Sequence, residues 1–317
     1  MSMPFYVSPE QAMRDKSEYA RSRIARGRSC VALQYTGGIL LVAPNPSRAL
    51  HKMSELYDRI AFAAGGRYNE YEALRKAGIT YADVTGYQFD RRDVTARGLA
   101  NWYAQTLGTI YTESQKPYEV EIVVAEVGDT PADDQIYRIT FDGSVSDEPG
   151  FVAFGGQADQ VAAQLKERFS DGMSLTEALA AALQALTPPP ATGSAAGGGS
   201  AANGELTVSQ LEVAILDRTR PHRTFRRLRG PRLEELIAAA RGGAPTSPEA
   251  AAAEEAAIAD DAPAPGTTGA APAPDAKPAD PASGTKPTGP APGPGGDAPT
   301  GPPPGTSDGI PKPPSGK

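Results

Sequence analysis

Few side chains in this sequence are of the types that bind metals or nucleotide phosphates. The 317 residues include two histidines, His51 and His222, and a single cysteine, Cys30. A zinc site needs three or four such ligands close together, and neither histidine has a partner at a ligand-like spacing. The motifs GxGxxG and GxxxxGKS/T, whose backbone cradles phosphates, do not occur in the sequence. The sequence therefore predicts no metal and no other cofactor.

A nucleophile at the start of the chain is the second kind of chemistry to consider. In N-terminal nucleophile enzymes the hydroxyl or thiol of the first residue attacks the substrate, and its own α-amine accepts the proton. That residue must open a strand that points into the active cleft. Ser2 could become first after removal of Met1, but the pattern that follows it predicts a helix, not a strand. We therefore expect no catalytic residue, and a self-contained peptidase that uses Ser2 remains the alternative.

Two charged stretches have a structural and a functional interpretation. Asp90-Arg91-Arg92-Asp93 opens a predicted helix, and we interpret it as capping and ion pairs, with a catalytic carboxylate as the alternative. The run RTRPHRTFRRLRG, residues 218–230, is interpreted as a hairpin with a solvated or subunit-facing edge, with a nucleic-acid patch as the alternative.

The charge balance decides between the two interpretations of the basic run. The formal net charge is −7, and residues 242–317 contribute −5 through nine Asp or Glu and four Lys, which leaves −7 + 5 = −2 for the rest. A nearly neutral body does not suit binding to a phosphate backbone. The sequence therefore predicts no nucleic-acid partner.

The first element that must position any site is a strongly marked helix over residues 9–26. Ser8 fits the N-cap, Pro9 fits the first helical position, and Gln11 stands three residues after the serine, as in a capping box. The apolar residues in front of this helix have no core of their own. They either form a frayed end or bury their side chains against another subunit.

After this helix, pairs of strands alternate with pairs of helices, twice over. Thr36-Gly37-Gly38 separates two apolar runs and indicates a hairpin. The first helix pair is predicted at RYNEYEALRKAG, which ends at Gly78, and, after a loop, at DVTARGLANWYAQTLGTIYTES. Strand pairs separated by helix pairs favour two mainly antiparallel sheets covered by helices. The predicted fold class is α+β, a four-layer αββα sandwich of the N-terminal nucleophile hydrolase type with an extra N-terminal helix.

Spacing and composition also predict which residues are buried and which segments are not. Cys30 lies in the apolar strand CVALQY and is expected to be a buried, inert thiol. Apolar residues at helical spacing predict core faces in three later helices: Leu99, Tyr103, Thr106, Leu107 and Ile110; Val161, Leu165 and Phe169; Leu175, Leu179, Ala182, Leu183 and Leu186.

The C-terminal region has the composition of a disordered tail. Residues 242–317 hold 19 of the 31 prolines and no aromatic residue, too little apolar surface to offset the entropy of ordering. Residues 187–205 have the composition of a flexible Pro/Gly/Ser-rich linker loop. No apolar run approaches the roughly 18 residues of a membrane span, and no signal-peptide pattern opens the chain. We therefore expect a cytoplasmic protein with no membrane partner.

Several long blocks of the sequence are similar to one known family. They are PFYVSPEQAMR, NPSRALHKMSELYDRIAFAAGGRYNEYEALRKAGI and DRRDVTARGLANWYAQTLGTIYTESQKPYEVE, followed by SDEPGFVAFGG and LEVAILDRTRPHRTFRRL. In these blocks the chain resembles the α-type subunit of the actinobacterial 20S proteasome, which belongs to a family of threonine peptidases. The blocks are collinear from residue 1 to about residue 241, so the resemblance is far more specific than a short motif.

The resemblance implies a non-catalytic subunit of a large complex. In this family α subunits form homoheptameric rings, fourteen copies per core, outside two heptameric β rings whose N-terminal threonines perform the catalysis. The α rings gate substrate entry and bind the C-terminus of a ring-shaped AAA ATPase activator, which in actinobacteria delivers proteins tagged with the modifier Pup. The implied organisation is a gate segment over residues 1–8, an α-type domain over 9–241 and a tail over 242–317.

The resemblance also implies which residues form the gate. In the family the segments before the first helix meet at the ring axis and close the entry pore. This assigns the gate role to Met3, Phe5, Tyr6, Val7 and Ser8.

The resemblance also implies that two other residues bind the activator. Lys52, within ALHKMSEL, matches the lysine that pairs with the C-terminal carboxylate of the activator in a pocket between adjacent α subunits. Arg26, near the end of the first helix, is a second candidate. The Tyr-Asp-Arg motif that holds the gate open in archaeal and eukaryotic relatives is absent near the N-terminus, and the letters Tyr57-Asp58-Arg59 occur well inside the fold.

Overall fold

The computed structural model describes residues 8–187 and 206–242, which contain six α-helices and ten strands. The helices are α1 (Pro9–Ala25), α2 (Tyr68–Gln88), α3 (Ala96–Glu113), α4 (Ala158–Arg168), α5 (Leu175–Leu186) and α6 (Gly230–Gly242). The strands are β1 (Cys30–Tyr35), β2 (Gly38–Pro44), β3 (Met53–Tyr57), β4 (Ile60–Gly66), β5 (Val120–Glu126), β6 (Gln135–Ile139), β7 (Val145–Asp147), β8 (Phe151–Phe154), β9 (Leu211–Asp217) and β10 (Phe225–Leu228).

The strands form two antiparallel sheets of five strands each. The first has the order β10-β9-β2-β1-β8 and the second the order β3-β4-β5-β6-β7. The turn at Thr36 and Gly37 joins β1 to β2, with Leu33 opposite Leu40, and β2 in turn pairs with β9, with Leu40 opposite Ile215. The hairpin predicted at this turn is therefore confirmed.

The two sheets pack face to face, and helices cover both outer faces. Alternate residues of β1 show this arrangement: Cys30 and Ala32 lie in the core between the sheets, whereas Val31 and Leu33 lie under the helices α4, α5 and α6. Helices α2 and α3 cover the second sheet. Because both faces of the central strands are buried, they are apolar at nearly every position. The predicted four-layer αββα sandwich is confirmed.

Helix α2 differs from the sequence prediction at its C-terminal end. The sequence pattern predicts an end at Gly78, but the helix continues to Gln88. Gly78 is buried and faces the ring of Tyr103 in α3, where a methyl group would lie 1.7 Å from the Tyr103 hydroxyl. The glycine is therefore required by the close approach of α3, and it does not end the helix.

The cap of α1 is half of the predicted capping box. The Ser8 hydroxyl accepts a hydrogen bond from Gln11 N at 3.2 Å, and Pro9 occupies the first turn. The side chain of Gln11 does not return to the cap, because its amide donates to Asp15 Oδ1 at 2.7 Å. The helix begins where the sequence predicts and ends one residue earlier, at Ala25, with Arg26 as its C-cap.

Helix α1 lies against the rest of the fold near the end of α3. Ala20 and Ile24 pack with Phe141 in a small separate core. Lys16 Nζ donates to the carbonyl oxygens of Tyr111 and Ser114, at 3.2 and 2.8 Å. Van der Waals contact and hydrogen bonds together fix the helix that carries the N-terminal segment.

Three sequence predictions concern residues outside the described ranges. They are the gate residues Met3, Phe5, Tyr6 and Val7, the linker loop after Thr187, and the tail beyond residue 242. Within residues 8–187 and 206–242, no helix has the length and apolarity needed to cross a membrane. The same residues contain no cluster of His, Cys, Asp or Glu that could hold a metal ion.

Candidate docking site

Lys52 lies at the end of the connection between β2 and β3, residues 45–52, which we call the docking loop. This loop passes from the first sheet to the second. Lys52 Nζ donates to the carbonyl oxygen of Arg28 at 3.2 Å and lies 3.6 Å from Cys30 Sγ. The side chain therefore reaches across to the segment that joins α1 to β1, and its ammonium group is partly accessible.

Arg26 is the C-cap of α1 and lies two residues before Arg28, on the same connecting segment. It is exposed, and with Arg28 it lines a shallow cavity of about 410 Å³. Three glutamine side chains from helix α4 and its start line the same cavity: Gln157, Gln160 and Gln164. No carboxylate is among the described residues that line it. Lys52 does not line the cavity itself, but its ammonium group is bonded to Arg28, which does.

The structure therefore brings the two predicted docking residues into one region. Two arginines and three glutamines among the lining residues carry hydrogen-bond donors of the kind that bind an anion and a peptide backbone. Sequence reasoning missed the glutamines, although their spacing at positions 157, 160 and 164 on one helix face was a usable signal.

Cys30 is buried, as predicted, and its thiol is part of the floor under Lys52. Burial raises the pKa of the Cys30 thiol, and the neighbouring Lys52 opposes that change only in part. The thiol is therefore neutral at physiological pH and a poor nucleophile. The prediction that Cys30 is buried is confirmed.

Glu212 in β9 holds the docking loop from below. This carboxylate is 6% exposed, and it accepts hydrogen bonds from Lys52 N at 2.9 Å and Asn45 Nδ2 at 2.7 Å. His51 Nδ1 lies 3.5 Å from the same carboxylate. Burial, and then the charge of Arg227, lower the pKa of His51, so this imidazole is neutral at pH 7. Sequence reasoning missed Glu212, whose one signal was an acidic residue inside the apolar strand LEVAIL.

The first strand of this chain does not begin at a free N-terminus, which is where an N-terminal nucleophile would have to lie. Strand β1 begins at Cys30, and helix α1 precedes it, so the backbone nitrogen at this position is part of a peptide bond and not a free amine. The neighbouring hydroxyl of Ser29 accepts a hydrogen bond from Gln157 N at 2.9 Å. This region can bind and position, but it lacks the amine base that an N-terminal nucleophile needs.

The charged stretch Asp90-Arg91-Arg92-Asp93 has a structural role. The Asp90 carboxylate caps a short 3-10 turn by accepting from Arg92 N at 2.8 Å. Arg91 donates to both carboxylate oxygens of Asp58, at 2.7 and 2.8 Å. Asp58 belongs to the Tyr57-Asp58-Arg59 letters, which lie in and beside the turn between β3 and β4.

The basic run forms the turn and the second strand of the β9–β10 hairpin, and carboxylates pair with four of its six arginines. The pairs are Arg218 with Asp134, Arg223 with Glu55, Arg226 with Asp217, and Arg227 with Glu212. Because these four guanidinium groups are already bound to carboxylates, the run is poorly suited to binding phosphate. The interpretation as a hairpin is confirmed.

Comparisons with known proteins agree with this geometry. The family model described as "Proteasome subunit" matches residues 24–188. The proteasome subunit alpha of Streptosporangium roseum is 64% identical over 262 residues, which cover 82% of this chain and 96% of the relative. That of Thermomonospora curvata is 63% identical and covers 75% and 99%. That of Streptomyces scabiei is 58% identical and covers 80% and 99%.

The matched residues contain both sheets except β9 and β10, and all the helices except α6 and most of α1. Relatives that share about three fifths of their residues with this chain over nearly their whole length share its fold and its subunit type. This chain therefore belongs to the proteasome subunit family, among the α subunits of actinobacterial proteasomes.

Proposed function

We propose that this chain forms the outer heptameric rings of a 20S proteasome core, gates the entry of substrates and docks a ring-shaped AAA ATPase activator. Fourteen copies would flank two heptameric β rings that hold the catalytic threonines. The observation that carries the proposal is the 3.2 Å contact between Lys52 Nζ and the Arg28 carbonyl oxygen. It links the candidate docking lysine to the segment directly after α1.

This contact suggests how docking and gating are coupled. A terminal carboxylate of the activator is a stronger partner for the Lys52 ammonium group than a neutral carbonyl, because charge-assisted hydrogen bonds contribute about 1.5–3 kcal/mol. Arg26 at the end of α1 adds a second positive charge. A carboxylate bound here would compete with the Arg28 carbonyl oxygen for the Lys52 ammonium group. It would thereby shift the end of α1, the helix that follows the gate segment.

The gate itself is assigned to the residues ahead of α1. Met3, Phe5, Tyr6 and Val7 are apolar, and Ser8 anchors them to the helix through its cap. Meeting at a ring axis would remove apolar surface from water at about 25 cal/mol per Å², against the entropy lost on ordering each segment. The balance is small, as a reversible gate requires.

An exposed apolar patch supports assembly with other subunits. Val84, Tyr87 and Phe89 lie at the C-terminal end of α2, and the last two are 92% and 74% exposed. Monomeric proteins rarely expose large apolar patches, and such patches mark protein contacts. We assign this patch to a contact with a neighbouring subunit of the core.

The proposed role also determines which subunit is catalytic and where the complex acts. Proteolysis would belong to the β partner, since the start of β1 in this chain is not a chain terminus. The complex would act in the cytoplasm on proteins that carry the Pup modifier and are unfolded by the ATPase. No cofactor is needed for the role of the α subunit.

The test is small-peptide hydrolysis by this chain co-purified with its β partner. Deleting residues 2–8 should raise the rate severalfold without changing assembly, because it removes the gate. Equal rates would refute the gate assignment. Ser2→Ala should leave hydrolysis by the complex unchanged, whereas loss of activity would favour the alternative of a self-contained peptidase.

Docking is tested separately in the full-length complex. Lys52→Ala should abolish stimulation by the ATPase, and Lys76→Ala, which removes an exposed ammonium group from α2, should not. Equal stimulation of the wild type and Lys52→Ala would refute the docking role of Lys52.

A further inference from the structure

Glu212 is surrounded by hydrogen-bond donors from three parts of the chain. Its Oε2 atom accepts from Asn45 Nδ2 at 2.7 Å and from Lys52 N at 2.9 Å. Its Oε1 atom accepts from Met53 N at 3.3 Å and lies 3.5 Å from the Arg227 guanidinium group. A carboxylate is the one side-chain group that can accept from all of these donors at once.

Backbone hydrogen bonds hold the docking loop at its two ends: Asn45 N donates to Gln210 O at 2.6 Å, and Ala64 N donates to Lys52 O at 3.0 Å. The loop crosses between the sheets, and much of its remaining support is local: Asn45 Nδ2 donates to Leu50 O, and Ser47 Oγ accepts from Leu50 N. Glu212 is the group from β9 that fixes the backbone at the exit of the loop, at Lys52 and Met53. Glu212 accepts from Lys52 N and Ala64 donates to Lys52 O, so the two together set where the Lys52 side chain starts.

We infer that Glu212 is the positioning residue of the docking site: its buried carboxylate fixes the backbone of Lys52 so that the ammonium group lies beside Arg28, ready for an anionic chain terminus. This inference rests on the proposed docking function. In this inference Glu212 does not contact the bound carboxylate, but it fixes the geometry on which binding depends.

The variant Glu212→Gln separates positioning from simple charge. The amide keeps the size of the side chain but offers one acceptor oxygen and two donor hydrogens, so its NH₂ group must face Lys52 N–H and Asn45, or Met53 N–H and Arg227. The docking loop should then loosen and bind an anion less well. Charge alone predicts the opposite, because removal of a carboxylate near Lys52 makes the site more positive and strengthens anion binding.

The matched control is Glu234→Gln. Glu234 is exposed on α6 and lines the same 420 Å³ cavity as Glu212 and Arg227, and it makes no hydrogen bond to the docking loop. This substitution removes the same charge from the same cavity without touching the loop. Any difference between the two variants therefore reports the contacts of Glu212.

The experiment has two readouts on the full-length chain in its complex with the β partner. The first is backbone amide hydrogen exchange over residues 45–53. The second is binding of the C-terminal decapeptide of the ring ATPase, as the free carboxylate and as its amide. We expect Glu212→Gln to speed exchange at Lys52 and Met53 and to weaken binding of the carboxylate peptide about tenfold, the weight of one charge-assisted hydrogen bond between a displaced Lys52 ammonium group and the peptide carboxylate. Glu234→Gln should change neither.

The outcomes separate this inference from the proposed function. Unchanged exchange over residues 45–53, or unchanged or tighter peptide binding in Glu212→Gln, overturns the positioning role. If Lys52→Ala binds the carboxylate peptide as well as the wild type, the docking function fails first, and the exchange readout still tests the contacts of Glu212. Should Glu212→Gln not fold, Asn45→Ala keeps the charge, removes one donor from the network and should shift both readouts in the same direction.

Discussion

Gly78 and Tyr103 touch where helices α2 and α3 cross. A methyl group at Gly78 would lie 1.7 Å from Tyr103 Oη, and this hydroxyl donates to Leu74 O at 3.2 Å. Tyr103 is fully buried, so its hydroxyl cannot form a hydrogen bond with bulk water instead. The glycine thus makes room for a buried hydrogen bond between the two helices that cover the second sheet.

Substitution at this contact should destabilise the fold. Gly78→Ala overpacks a rigid site and should lower the free energy of unfolding by about 1–3 kcal/mol, measured by urea denaturation. The control is Gly108→Ala in α3, where the added methyl group has its nearest neighbour at 3.8 Å. There the gain in helix propensity should stabilise the chain by up to about 1 kcal/mol. Equal effects of the two substitutions would contradict the packing argument.

Arg218, the residue after β9, forms a buried, bidentate ion pair with Asp134 in the β5–β6 connection. Both contacts are 2.8 Å, and the Asp134 side chain is 0% exposed. Arg218→Met should cost about 3–5 kcal/mol, because it leaves a buried carboxylate without its counter-ion. Arg218→Met combined with Asp134→Asn should recover part of that loss. Additive costs in this double-mutant cycle, measured by chemical unfolding, would show that the two side chains do not interact.

Glu126 should give stability a pH dependence of a defined sign. Burial raises the pKa of its carboxyl above 4.5, although Ala96 N donates to it at 2.7 Å. A raised pKa means that its contribution is complete below about pH 4.5 and is lost as pH rises through the folded pKa. Glu126→Gln keeps the acceptor for Ala96 and cannot ionise, so it should gain stability relative to the wild type between about pH 4 and pH 7.

The comparison of two pH values isolates this group, because all other titrations are common to both proteins. Thermal or urea unfolding of the wild type and of Glu126→Gln at both values gives the difference directly. A difference that stays constant with pH, or that favours the wild type at the higher pH, would contradict the raised pKa.

The exposed pair Tyr87 and Phe89 should matter for assembly and not for folding. Replacing both by Ser removes apolar surface that is already in water, so the unfolding free energy of the isolated chain should change by less than about 0.5 kcal/mol. Co-purification of the β partner or formation of the ring should fail, as measured by native mass spectrometry. Val145→Ser, at an exposed apolar residue outside the patch, is the control and should assemble normally.

Much of this protein was readable from local patterns. The hairpin at Thr36 and Gly37, the start of α1 at Pro9 and the buried face of α5 follow from neighbouring residues alone. Turn chemistry, caps and apolar spacing act within a few positions, so the order of elements and the αββα class could be predicted. The candidate Lys52 also came from the sequence, through collinear resemblance.

Other features were decided only by the tertiary structure, because they depend on residues that lie far apart in the chain. Local patterns predict a helix end at Gly78, because its partner Tyr103 lies on the next helix. The short strand β7 was not predicted, since its three residues are exposed and are ordered by pairing with β6. Glu212 and Lys52 stand 160 positions apart in the sequence, and their hydrogen bond exists only because the sheets pack with β9 beneath the docking loop. Local patterns carry no information on such contacts, because they arise from the packing of whole layers.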